Sequence, residues 1–300
     1  MTHLRQLHIV ILLLSGGAAM GLSAAGLNSV GAEARKEAER PAAVRVVSQT
    51  VGSDELLLAV ARPEQIAALS HLSRDASFSA VAREATRYPQ LPVNGDAESA
   101  LRYSPTLVLC ADYSRTELVT QVRRAGVQVI IFDHYMTLED AYANLRLLAK
   151  ALGTEDKAER VIASCEERVQ ALHVRLKDRK PVRVIAPSVY GVIPGAETTF
   201  QDICDHAGAE NLASTLGKLT GHAAPPAEQM LLWPIDRVVV TGGAIESALR
   251  PFKEIPPYQL MAAVKEGRAV LLPSCLLACV SHYRVDAYEE LARALHPEAF

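Results

Sequence analysis

Seven short runs of β-branched and other apolar residues punctuate the chain, and the apolar positions between them recur at helical spacing. The runs cover residues 44–48, 66–69, 106–110 and 127–132 in the first half, and 182–186, 237–241 and 269–272 in the second. Most are continuous rather than alternating, which suits parallel strands covered by helices on both faces. Segments such as 117–124 and 138–152 have the helical period. The pattern therefore predicts an α/β fold of two open βα lobes with mainly parallel sheets. Between the halves, Ala158, Val161, Ile162, Cys165, Val169, Leu172 and Leu176 form one apolar stripe, predicting a helix over 154–177. Thr154 is placed to cap it, Glu155 and Asp156 suit its positive N-terminal end, and Pro181 lies beyond its stop. At 1.5 Å per residue it would be a rod of roughly 36 Å. A rod joining two lobes restricts their motion more than a loop would.

The N-terminus reads differently. Arg5 precedes an apolar stretch that begins at Ile9 and fades through small residues to about Leu22, followed by Ser23, Ala24 and Ala25. This is the pattern of a secretory signal peptide. Residues 26–43 lack any apolar period and are expected to be a disordered leader. The expected organisation is a signal peptide over 1–25, the leader over 26–43, an N-terminal lobe over 44–152, a backbone helix over 153–179 and a C-terminal lobe over 180–300. Export implies a periplasmic location. An oxidising compartment makes the five cysteines notable. Their odd number leaves at least one thiol free, Cys110 and Cys165 sit in apolar patterns, and pairing of Cys204 with Cys275 or Cys279 stays open.

Composition narrows the function. The chain has 300 residues, 49% of them hydrophobic, and its 31 Lys and Arg against 34 Asp and Glu give a net charge of −3. A nucleic-acid binder would carry a basic excess, so no nucleic-acid partner is expected. The G-x-S-x-G and His-Glu-x-x-His patterns of hydrolases are absent, which argues against an enzyme. The Thr241-Gly242-Gly243 turn lacks the glycine and lysine spacing of a phosphate loop.

The two halves also echo each other. Glu98 leads through a short helical segment to Pro105 and a buried strand, and Glu228 leads likewise to Pro234 and a buried strand. With this echo in place, the chain resembles the bacterial periplasmic substrate-binding proteins for iron chelates, haem and cobalamin. The resemblance rests on six segments in order: RVVSQTVGSDELLLAV, DAESALRYSPTLVLC, AGVQVIIFD, the long helix, DICDHAGAENL and AEQMLLWPIDRVVVTGG. It implies two lobes on a rigid backbone helix, a transported iron or cobalt chelate as cargo, and no permanently bound cofactor. It also implies an ABC permease and its ATPase as partners of a monomer. By the same resemblance, Glu98 and Glu228 would dock onto arginines of the permease. Two exposed carboxylates at fixed separation can orient a cationic partner. The cobalamin binder's disulfide positions correspond here to Ala207 and Ala292, so that bridge is missing.

In open α/β lobes ligands bind at the carboxyl ends of strands. The chemistry-bearing residues at those ends are His71, Arg74, Tyr113, Arg115, His134, Tyr135 and Tyr190. Tyr and His can approach a chelated metal, and Arg can pair with a carboxylate of the chelate. Two alternatives stand beside this reading. One is a free transition-metal receptor using His71, His134, His222 and His282, although no two have the helical i, i+4 spacing and no metal site is assigned. The other is a secreted α/β enzyme or chelatase.

Overall fold

The computed structural model describes residues 44–300. The expected signal peptide and leader lie outside the described residues. The described residues contain ten strands: β1 (Val46–Ser48), β2 (Ile66–Ala68), β3 (Leu107–Ala111), β4 (Gln128–Phe132), β5 (Val182–Ile185), β6 (Ile193–Pro194), β7 (Ala209–Asn211), β8 (His222–Ala223), β9 (Arg237–Val240) and β10 (Ala269–Leu271). The first sheet has the order β2-β1-β3-β4 and every pairing is parallel. The second has the order β10-β9-β5-β7, again parallel throughout. Read from its other edge, that sheet also runs second strand, first, third, fourth. The two lobes therefore share one topology, as the Glu–Pro–strand echo suggested.

The continuous apolar runs explain the parallel sheets, since residues such as Val108, Leu109, Val238 and Val239 are buried on both faces. The pattern did not reveal β7, whose Ala-Glu-Asn sequence is polar and becomes a strand only by pairing with β5. Nor did it reveal the antiparallel pair β6 and β8, two residues each. Such short pieces carry no period of their own.

The backbone helix spans Glu155–Leu176 without a break. Its predicted cap is a correction. Thr154 occupies the N-cap position, yet its side chain makes no capping bond and its hydroxyl is buried without a partner. The preceding helix, Leu138–Leu152, ends at Gly153 in the left-handed conformation with φ 64°. The chain then reverses so tightly that Thr154, at φ −137° and ψ 30°, does not aim its oxygen at the first turn.

One apolar core runs through both lobes. It joins Val46, Leu57 and Leu109 of the first lobe to Leu145, Ile162 and Leu172 of the two long helices, and on to Val184, Phe200 and Leu291 of the second. A short strap, residues 274–284, is stitched across the floor between the lobes. The Ser274 hydroxyl donates to the Ser77 carbonyl at 2.7 Å and the Ser281 hydroxyl to Glu55 Oε2 at 2.6 Å. Val280 lies so close to Gly52 that any Cβ there would collide with it. All five cysteines are free. Cys204 is packed inside the second lobe's core and does not pair with Cys275 or Cys279.

Candidate functional site

Both sheets reverse their winding direction between their first and third strands, β1 and β3 in one lobe and β5 and β9 in the other. A crevice opens beyond the carboxyl ends at such a switch point. Gln49 and Thr50 leave β1 there, and Asp112, Tyr113 and Arg115 leave β3. The helix Val51–Val60 starts at the same place. Its capping box is built by Thr50 and Ser53, with the Ser53 amide donating to Thr50 Oγ1 at 3.2 Å and the Thr50 amide donating back to Ser53 Oγ at 3.2 Å.

Three cavities meet along this crevice. A first-lobe chamber of about 290 Å³ is walled by His71, Phe78 and Tyr113 and by Ala278 to Val280 of the strap. A second chamber of about 400 Å³ faces the other lobe and is walled by Tyr135, Met136, Tyr190, Phe200 and His222, again with Val280. A side pocket of about 260 Å³ shares Gln49, Thr50, His71 and Tyr113 with the first chamber and adds Arg115. The chambers' walls are mostly apolar, and the strap forms a ridge between them.

The candidates from the sequence divide accordingly. His71, Tyr113, Arg115, Tyr135 and Tyr190 line the crevice. Tyr190 is 87% exposed and Tyr113 67%. Both rings stand at the mouth of the crevice. Tyr135 meets Tyr113 edge to face at a ring separation of 6.4 Å, and its hydroxyl donates to Asp112 Oδ1 at 3.0 Å. Burial, reinforced by that acid, pushes the Tyr135 phenol up to about 12, so it is a neutral donor rather than a ready phenolate. Arg74 and His134 are not brought into these cavities. Arg74 donates to the Tyr88 carbonyl at 2.6 Å, and His134 is exposed and paired with Asp133 at 2.8 Å. His282 is buried, and burial lowers it to about 4, so it stays neutral and shielded. Glu98 and Glu228 are both exposed, each at the second position of a short helix, Ala97–Leu101 and Ala227–Met230.

Sequence reasoning left out Phe78, Met136, Phe200 and Val280, and weighed His222 only as a bare-metal ligand. His222 lies on the two-residue strand β8, and Val280 reaches the crevice only because the strap crosses the floor. No local period marks either one. Among the described residues no three His, Cys, Asp or Glu side chains are grouped to hold a metal ion, and no helix is long and apolar enough to cross a membrane.

Two adjacent acids, Asp54 and Glu55, lie buried beneath the crevice. Asp54 accepts from the Ser70 amide at 3.0 Å and from the Ser70 hydroxyl. Glu55 accepts from the Ala80 amide at 3.0 Å and from Ser281. Desolvation outweighs these bonds, raising Glu55 and lifting Asp54 from 3.8 to about 7. Asp54 therefore holds its proton in the folded state over a range where the unfolded chain has lost it. Its contribution to stability is full below about pH 4 and falls as pH rises to about 7. Asp54→Asn is expected to flatten this slope and to stabilise the protein at pH 8 by up to about 4 kcal/mol, with little effect at pH 4. Urea midpoints of both proteins across this range are the check; parallel curves would show that Asp54 is ionised in the fold.

Comparison with known proteins places this geometry. A family model described as "Periplasmic binding protein" matches residues 46–276. No curated protein matches the chain. Among solved structures, the periplasmic heme-binding protein RhuT from Roseiflexus sp. RS-1 superposes with a TM-score of 0.71 at 21% identity, covering 86% of this chain and 100% of that one. The periplasmic heme-binding protein HutB of Vibrio cholerae gives 0.71 at 21%, covering 85% and 100%. A periplasmic binding protein from Veillonella parvula gives 0.73 at 19%, covering 86% and 93%. At these identities the likeness establishes the fold.

Proposed function

Because this chain belongs to the periplasmic binding protein family, whose members bind solutes rather than turn them over, we propose that it serves an ABC importer as its exported binding component and carries an iron porphyrin between its lobes. The observation carrying the cargo assignment is the crevice itself. Apolar walls meet across the Val280 ridge, and each lobe contributes phenol and imidazole groups, Tyr113, Tyr135 and His71 from the first and Tyr190 and His222 from the second. Apolar walls favour burial of a flat macrocycle. A phenol oxygen or imidazole nitrogen is the donor type that takes an axial position on haem iron. The two solved relatives described as heme-binding support the same choice. A polyanionic siderophore would want several cations, and Arg115 is the only Lys or Arg among the residues walling the three cavities. Glu98 and Glu228 would present the loaded protein, as a monomer, to the permease and its ATPase.

Titration with haem is expected to develop a Soret band that saturates, without turnover. Tyr113→Ala and Tyr190→Ala should each weaken calorimetric affinity about tenfold or more, the scale of one lost charge-assisted contact. Unchanged affinity in both would remove these phenols from the site. A corrin band or a siderophore charge-transfer band in protein purified from its native host would replace the haem assignment.

A further inference from the structure

The end of the second lobe that carries Glu228 is apolar around that acid. Leu232 is 86% exposed, Leu216 47% and Leu231 42%. The helix Ala227–Met230 runs on into a further turn, with the Leu232 amide donating to the Gln229 carbonyl at 3.1 Å and the Trp233 amide to the Met230 carbonyl at 3.2 Å. Positions four apart on such a turn face the same way. Leu232 therefore stands beside Glu228, while Met230 is turned into the core. Leu216 arrives from a separate segment. Its neighbour Gly217 packs so closely on Trp233 that a Cβ there would lie 2.8 Å from the indole ring. Trp233, half-buried, rests in turn on an apolar cluster of the second lobe. Three leucines from two segments thus gather at one indole beside one acid. The fold does not require this. In the first lobe the position four residues after Glu98 is Arg102, exposed like Leu232. A lone exposed leucine is ordinary, but a cluster marks a surface that meets a partner. None of the three leucines lines the cargo cavities.

We infer that Leu216, Leu231 and Leu232 form an apolar anchor for the permease at the second lobe, seated next to the cation that Glu228 meets. The inference rests on the importer reading and adds a second kind of contact to it. A partner that takes Glu228 must lie against Leu232, because both side chains leave the same face of one turn. Three leucine side chains cover far less than the roughly 800 Å² per partner that a stable interface buries. The patch therefore needs a second region of contact. A permease that also holds Glu98 on the first lobe provides one, whereas a second copy of the chain joined through the patch alone does not. The two kinds of contact divide the work. Paired charges orient the partner and weaken as salt rises, while burial of the leucines adds affinity that salt does not screen.

The test measures docking of the full mature chain, without cargo and with haem added, onto the permease–ATPase complex purified from the native host into nanodiscs, at low and at high salt. Leu232→Ser is expected to weaken docking about tenfold, and Leu231→Ser with Leu232→Ser about a hundredfold, the scale of leucines buried at an interface. Both losses should persist at high salt. Melting temperature and affinity for haem should stay put, a pattern that loss of folding does not produce. Docking that Glu98→Arg with Glu228→Arg abolishes, but that the leucine variants leave unchanged, would overturn the anchor and leave the importer reading standing. No docking by the wild type, or docking untouched by either set of changes, would remove both. A wild-type dimer in sedimentation that the leucine variants dissociate would also overturn the anchor, by assigning the patch to a second copy of the chain.

Discussion

Glu98→Arg combined with Glu228→Arg is expected to abolish import into cells while leaving cargo affinity unchanged. Both side chains are exposed, each on a short helix preceding the third strand of its own lobe, and neither lines the crevice. Because the lobes share one topology, the two carboxylates stand at matching positions, one on each lobe. A permease with cations to meet both would be steered and oriented by them. Reversal places like charges face to face at both ends, and each such contact costs several kcal/mol. The combined loss should exceed a hundredfold in docking, with single reversals intermediate and raised salt weakening the wild type. Uptake assays paired with calorimetry on the purified variant separate the two functions. If affinity for cargo falls with uptake, the acids serve the binding site and the docking role fails.

Arg284→Met is expected to destabilise the protein by about 3–5 kcal/mol, the scale for removing one partner of a buried ion pair. Arg284 is completely buried, and all five of its N–H groups are used. They reach the Tyr135 carbonyl at 2.7 Å, the Met136 carbonyl at 2.8 Å, the Cys279 carbonyl twice at 3.0 and 3.1 Å, and Asp202 Oδ2 at 3.1 Å. The Tyr288 hydroxyl donates to the same Asp202 oxygen. A single side chain thus ties the loop after β4 of the first lobe to the strap and to the second lobe. The truncated variant would strand a carboxylate and three carbonyls in the core. Arg284→Met with Asp202→Leu should recover part of the loss, since an apolar pair leaves no buried charge. Urea unfolding of the single and double variants provides the measurement. A loss under 1 kcal/mol for Arg284→Met would mean that the lobes are held by the shared apolar core alone.

These two cases mark where local pattern stops being informative. Glu98 and Glu228 were visible because each begins a repeated helix–Pro–strand phrase, and such phrases are written in consecutive residues. Tyr113 and Tyr190 were visible because a strand's end can be found from where its apolar run stops. Arg284 offered no such cue. In the sequence it is one more basic residue near an amphipathic helix, and such residues are usually solvated. Its role depends on carbonyls from residues 135, 136 and 279, which only the folded chain brings together. Thr154 shows the converse: the residue type and position of a cap were right, but a tight reversal at Gly153 turned its hydroxyl away.

The sequence alone was enough to establish the α/β class, the long connecting helix and the duplication of the lobes. These follow from hydrophobic periods and stop signals acting over fewer than about twenty-five residues. Tertiary structure alone decided that residues 274–284 form the floor, that His222 and Phe78 face the crevice, that Arg74 and His134 stay outside it, and that Gln49 and Arg115 share the wall of a pocket free of acids. A cavity is made by residues distant in the chain. Its chemistry is set by which polar atoms lose water without finding a partner, and that can be counted only after the chain has closed around them.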